Sequence, residues 1–117
     1  MTAEELERIA LGLPEAALDH PFGPETNVYK VAGKVFGIMN PAGVPPQVTL
    51  KCEPGLALEL RAQFPAVVPG YHTNKRHWNT VTLDGTVPDD EVRDMVEHSY
   101  AQVVATLPKA VRLRLDG

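Results

Sequence analysis

The residues best suited to chemistry crowd into one short stretch, Tyr71-His72-Thr73-Asn74-Lys75-Arg76-His77-Trp78-Asn79-Thr80-Val81. It holds two of the four histidines, the only tryptophan, two adjacent cations and two asparagines. A nucleic-acid surface would use Lys51, Lys75 and Arg76 on phosphates and Asn74 and Asn79 as hydrogen-bonding groups. Trp78 or Tyr71 would then supply a stacking face. A protein-binding surface would draw on the same residues, because tryptophan, tyrosine and arginine are common interface anchors. Nucleophilic catalysis would need Cys52 within reach of His72 or His77, and a metal would need a third ligand such as His20 or Asp19. Cys52 falls on the core side of its strand pattern, where a buried thiol is inert. The five-residue spacing of His72 and His77 matches no helix or strand pairing. The expectation is therefore a binding surface without catalytic residues, metal or cofactor. A plainer role for His72 and Asn74 is to satisfy backbone groups of an irregular loop.

The flanking residues indicate how this stretch is held. Pro69-Gly70 fits the middle of a type II turn. From His77 to Leu83, β-branched and aromatic residues alternate with polar ones, the pattern of a strand. If Val81 and Leu83 face the core, Trp78 lies on the opposite, wet face beside Thr49 and Lys51. The competing placement buries the indole under a loop or the C-terminal tail.

The rest of the chain supplies helices and more strands. Thr2 and Glu5 are spaced as a capping box, and Leu6, Ile9, Ala10 and Leu13 form one apolar face of a first helix ending at Pro14. Glu15 to Glu25 reads as a loop, with Pro21, Gly23 and Pro24 as breakers. Asn27 to Val31 and Lys34 to Met39 read as a hairpin turning at Ala32-Gly33. Gln47 to Cys52 alternates as a third strand, with Val48, Leu50 and Cys52 on one face. Pro54 opens a second helix striped by Leu56, Leu60 and Phe64. Pro88 opens the longest helix, with Asp89, Asp90 and Glu91 at its positive end and apolar spacing as far as Leu107. Lys109, Arg112 and Arg114 then form a short basic tail.

Size and composition fit one globular domain over residues 1–117: 44% of residues are hydrophobic and 22% charged. No apolar run is long enough to cross a bilayer. The acidic start Met1-Thr2-Ala3-Glu4-Glu5 is unlike a signal peptide, and a single cysteine excludes an internal disulfide. A cytoplasmic monomer is expected. The net charge of −4 argues against a protein that is basic all over, yet the charges are unevenly placed. No acid lies between Glu25 and Glu53 or between Glu59 and Asp84, and those windows carry Lys30, Lys34, Lys51, Arg61, Lys75 and Arg76. A segregated field of this kind steers anionic partners even when the total charge is negative. Alternatively, polar strand positions simply favour Lys and Thr over Asp and Glu.

Several segments together resemble the MmcQ/YjbR family. They are Pro21-Phe22-Gly23, Leu50-Lys51-Cys52, Ala57-Leu58-Glu59-Leu60-Arg61, Pro69-Gly70-Tyr71-His72, Asn74-Lys75, His77-Trp78-Asn79-Thr80-Val81, and His98-Ser99-Tyr100 before Leu107-Pro108. The resemblance spans nearly the whole chain. It implies an α+β domain, an antiparallel sheet with helices packed on one face, in a frataxin-like or double-wing arrangement. It also implies DNA binding, weak and salt-sensitive given three cations in the patch. Frataxin-like proteins meet partners through an open sheet face carrying a tryptophan, so an adaptor for an acidic protein is the alternative. The residues expected to carry either role are Lys51, Tyr71, His72, Asn74, Lys75, Arg76, His77, Trp78 and Asn79.

Overall fold

A computed structural model describes residues 1–70 and 73–116. Tyr71, His72 and Gly117 lie outside the described residues. The elements run α1 (Ala3–Leu11), β1 (Ala16–Asp19), β2 (Asn27–Val31), β3 (Lys34–Asn40), β4 (Gln47–Lys51), α2 (Pro54–Gln63), β5 (Val67–Pro69), β6 (Trp78–Thr82), α3 (Asp89–Val104) and α4 (Lys109–Asp116). Among the described residues the strands form one sheet of order β1-β2-β3-β4-β6-β5, every neighbouring pair antiparallel. The fold is α+β, as the residue patterns imply.

Local chemistry explains most boundaries. Thr2 Oγ1 accepts from the Glu5 amide at 3.1 Å and starts α1. Glu53 accepts from the amides of Gly55 and Leu56, each at 2.8 Å, so α2 begins on a carboxylate cap with Pro54 inside it. The β2–β3 hairpin turns through Ala32 and Gly33, both at positive φ (50° and 78°). Only glycine adopts that conformation without cost, so Ala32 stores some strain there.

One face of the sheet carries the core. Val48, Leu50 and Val81 meet Leu6 and Ala10 of α1, Ala57 and Leu60 of α2, and Val92, Val96 and Val103 of α3. A register shift after Tyr29 lets Tyr29 and Phe36 share that core, where Phe36 stands edge-on to Tyr100 at 5.4 Å. Ser99, fully buried on α3, ties helix to sheet. Its Oγ donates to Phe36 O at 2.5 Å and accepts from the Lys51 amide at 2.8 Å.

Four readings need correction. The expected loop from Glu15 to Glu25 contains β1, an edge strand whose residues are mostly exposed and so lack the alternation that marks a half-buried strand. Pro69 ends the short strand β5 rather than opening a type II turn, and Gly70 has no positive φ. The basic tail after Pro108 is the helix α4, held by buried Leu115 and by Arg114, whose Nε donates to Glu15 Oε2 at 2.8 Å. The sheet face away from the core is not uniformly wet. Thr49 and Thr80 on it are buried, their hydroxyls 2.8 Å apart.

Candidate functional site

Strand register decides where the cations go. Lys51 pairs with Trp78 across β4 and β6, and Val31 pairs with Lys34 across the hairpin. Lys30 on β2, Lys34 at the start of β3, Lys51 at the end of β4 and the segment entering β6 therefore all lie at one end of the sheet. Lys75 and Arg76 stand in that entering segment, and Arg61 reaches it from α2. They are not equivalent. Lys30 is paired with Asp19 at 2.8 Å, which holds the Asp19 carboxyl below the usual range. Among the described residues Lys34, Lys51, Lys75 and Arg76 have no carboxylate partner. Trp78 is half-buried on the same face as Lys51 and Thr80, as the alternation predicts.

Arg61 organises the loop that precedes β6. Its Nε donates to Asn79 Oδ1 at 2.7 Å, and its Nη2 donates to the carbonyls of Lys75 and Trp78. Lys75 Nζ donates back to Gly70 O at 3.1 Å. Asn74 completes the turn, its Oδ1 accepting from the Arg76 amide at 3.0 Å and its carbonyl from the His77 amide at 3.1 Å. Gly70 leaves room for this packing: a Cβ there would lie 2.9 Å from Trp78 Cβ and would press on the Thr73 side chain.

The candidate residues thus separate. Lys51, Lys75, Arg76 and Trp78 are brought together at the sheet end. Tyr71 and His72 lie outside the described residues. Asn74 is exposed, but its side-chain oxygen is spent on its own turn. His77 is half-buried, and its carbonyl accepts from the Cys52 amide at 2.7 Å. Asn79 was expected to face a partner and does not. It is 3% exposed and points inward to Arg61, with Nδ2 reaching Ala57 O at 3.5 Å. The reason is register, since Asn79 shares the core-facing phase of Val81. Arg61 is the residue that sequence reasoning left out of the site. Its signal was present in the Ala57–Arg61 motif, where the cation has no acid three or four residues away on its helix face. Cys52 is 4% exposed, and burial pushes its thiol up to about 11. Among the described residues no three His, Cys, Asp or Glu side chains converge on a metal position. No helix among them is long and apolar enough to cross a membrane.

The sequence profile of the YjbR family matches residues 11–102, from the end of α1 into α3. The chain belongs to the YjbR family. It is 37% identical over 112 residues to protein YjbR of Escherichia coli strain K12, covering 96% of this chain and 95% of that one. Protein YbdF of Escherichia coli O157:H7 is 36% identical over 112 residues, covering 96% of this chain and 92% of that one. The crystal structure of Deinococcus radiodurans protein DR2400, a DUF419 domain, superposes with a TM-score of 0.92 at 36% identity. That match covers 98% of this chain and 88% of DR2400. The YjbR motif segments identified above, Leu50-Lys51-Cys52 and His77 to Val81, lie within the matched span and meet in space as adjacent strands β4 and β6.

Proposed function

We propose that this YjbR-family chain is a non-catalytic binding domain that engages DNA through the cationic end of its sheet. The observation that carries the reading is that Lys51, paired by register with the half-buried Trp78, and Lys75 and Arg76 in the loop entering the same strand lie at one sheet end, with no carboxylate partner among the described residues. Three cations neutralise few phosphates, so binding is weak, sequence-tolerant and strongly salt-dependent. Titration of fluorescent DNA at several salt concentrations tests it. A slope of log K against log salt of about −3 is expected, falling by about two in Lys75→Ala/Arg76→Ala because two phosphate contacts are lost. No binding at low salt, or a double variant that binds like the parent, rules the reading out.

A second reading has its own observation. Leu58 on α2 is 64% exposed, and it lines a shallow groove with Arg61, Lys75, Arg76 and one acid, Glu53, whose carboxylate is engaged by the Gly55 and Leu56 amides. An apolar contact inside a cationic rim suits an acidic protein segment carrying one large apolar residue. A domain that ignores DNA, yet loses a defined acidic partner on Leu58→Asp and Trp78→Ala, would fit this reading instead.

A further inference from the structure

The molecule has a second concavity on the opposite, helix-covered side of the sheet, between α2 and α3. Leu50 and Val81 floor it, Cys52, Leu56 and Leu60 form one wall, and Met95 of α3 closes the other. Its volume is about 290 Å³, near the lower end of small-ligand pockets, and its interior is apolar. Two polar features break that interior. Asn79 lines the cleft at 3% exposure; its Oδ1 is satisfied by Arg61, but its Nδ2 has only the 3.5 Å contact to Ala57 O, at the limit of a hydrogen bond. At most one of the two buried amide hydrogens is thus used, and the other costs free energy unless something accepts from it. The second feature is the mouth, where Glu91 and Asp94 stand one turn apart on α3, neither in an ion pair among the described residues.

The neighbouring cations do not cancel that charge. Lys51 borders the cleft through its backbone, since its side chain follows Thr49 onto the opposite sheet face, across from Trp78. His98, one turn beyond Asp94, accepts the Glu53 amide on Nε2 at 3.1 Å, which places its ring proton on Nδ1. The cleft therefore offers a donor inside, apolar walls and a negative rim.

We propose that this cleft binds a small amine with a compact apolar or aromatic body and a hydrogen-bond acceptor at its far end. The ammonium group sits at Glu91 and Asp94, the body between Leu56, Leu60 and Met95, and the acceptor on Asn79 Nδ2. The site is separate from the cationic sheet end and does not depend on the DNA reading.

Tyramine, phenethylamine and 3-(4-hydroxyphenyl)propionate are suitable probes, titrated into protein carrying ¹³C-methyl methionine. Met95 lies in the cleft wall, whereas Met39 sits in the sheet core and Met1 at the chain start, so the methyl signals report location. Tyramine is expected to move the Met95 signal and to bind at least about tenfold more tightly than the carboxylate probe, since charge complementarity decides between them. Phenethylamine, lacking the acceptor, should bind more weakly than tyramine. Glu91→Gln/Asp94→Asn changes only the rim, so the variant should fold and should reduce the amine preference to about twofold or less. Equal binding of amine and carboxylate overturns the proposal. So does a Met95 signal that stays fixed at saturating tyramine, or a double variant that keeps the full preference.

Discussion

Ser99 and Asn79 show how single buried polar groups fix this fold. Ser99 serves two backbone groups at once, Phe36 O and the Lys51 amide, on two neighbouring strands. Ser99→Ala removes both partners and leaves a buried carbonyl and amide unpaired. A loss of about 2–3 kcal/mol in urea unfolding is expected, more than a single side-chain hydrogen bond contributes. An unchanged midpoint would mean that water replaces the hydroxyl. Asn79 holds Arg61, and Arg61 holds the carbonyls of Lys75 and Trp78. Asn79→Ala should therefore cost about 1–3 kcal/mol for the orphaned guanidinium contact. It should also weaken DNA binding, although Asn79 faces away from solvent. That second effect separates a positioning residue from a merely stabilising one: Ser99→Ala, equally destabilising, should leave affinity unchanged at temperatures where both variants are folded.

Among the elements, the β5–β6 pair depends most on one small residue. The Gly70 amide donates to Trp78 O at 2.9 Å, and no Cβ fits there without moving Trp78 or Thr73. Gly70→Ala is expected to cost about 1–3 kcal/mol, the usual penalty for overpacking. Thermal unfolding measures it, and a change in Trp78 emission should accompany it. The sequence reveals why this site matters only in part. The strands β2, β3, β4 and β6 were legible from their β-branched, aromatic and alternating residue types, although Thr49 and Thr80 on the far face are buried as well. Alternation alone placed Trp78 on the face of Thr49 and Lys51; the pairing with Lys51 comes from the register. The edge strands β1 and β5 were not legible: Ala16–Asp19 is too exposed to alternate, and Val67–Pro69 is three residues long with a proline at its end. α4 was missed because its stability rests on Leu115 reaching the core and Arg114 reaching Glu15, a contact between opposite ends of the chain. In the site, the sequence pointed to the cations and the tryptophan. The same alternation sets Asn79 on the side of Val81; what it could not show is Arg61 reaching Asn79 there as a buried partner.

Taken as a whole, the molecule carries most of its acids on the helices and Lys51, Lys75 and Arg76 at one sheet end, and it keeps two weak acids inside the core. The second arrangement makes stability depend on alkaline pH. Burial pushes the Cys52 thiol up to about 11 and the Tyr29 phenol up to about 12, and it raises Tyr100 as well. Each group is protonated more firmly in the folded chain than in the unfolded one, whose thiols and phenols ionise near about 8.5 and 10. A raised folded-state value contributes stability that is complete below the unfolded value and lost as pH rises through the folded one. Stability should therefore be flat up to about pH 8.5. It should then fall by about 1.4 kcal/mol per pH unit while Cys52 alone binds the extra proton, and by about twice that between pH 10 and 11 once Tyr29 joins. Urea unfolding from pH 7 to 11 reads the curve directly. Cys52→Ala should flatten the segment below pH 10, and Tyr29→Phe should reduce the steepening above it, leaving the share that Tyr100 contributes. The slopes are the test, because each substitution also shifts stability at every pH through packing. A parent protein whose stability stays level to pH 11 would show that neither group is ionised on unfolding in the way their burial requires.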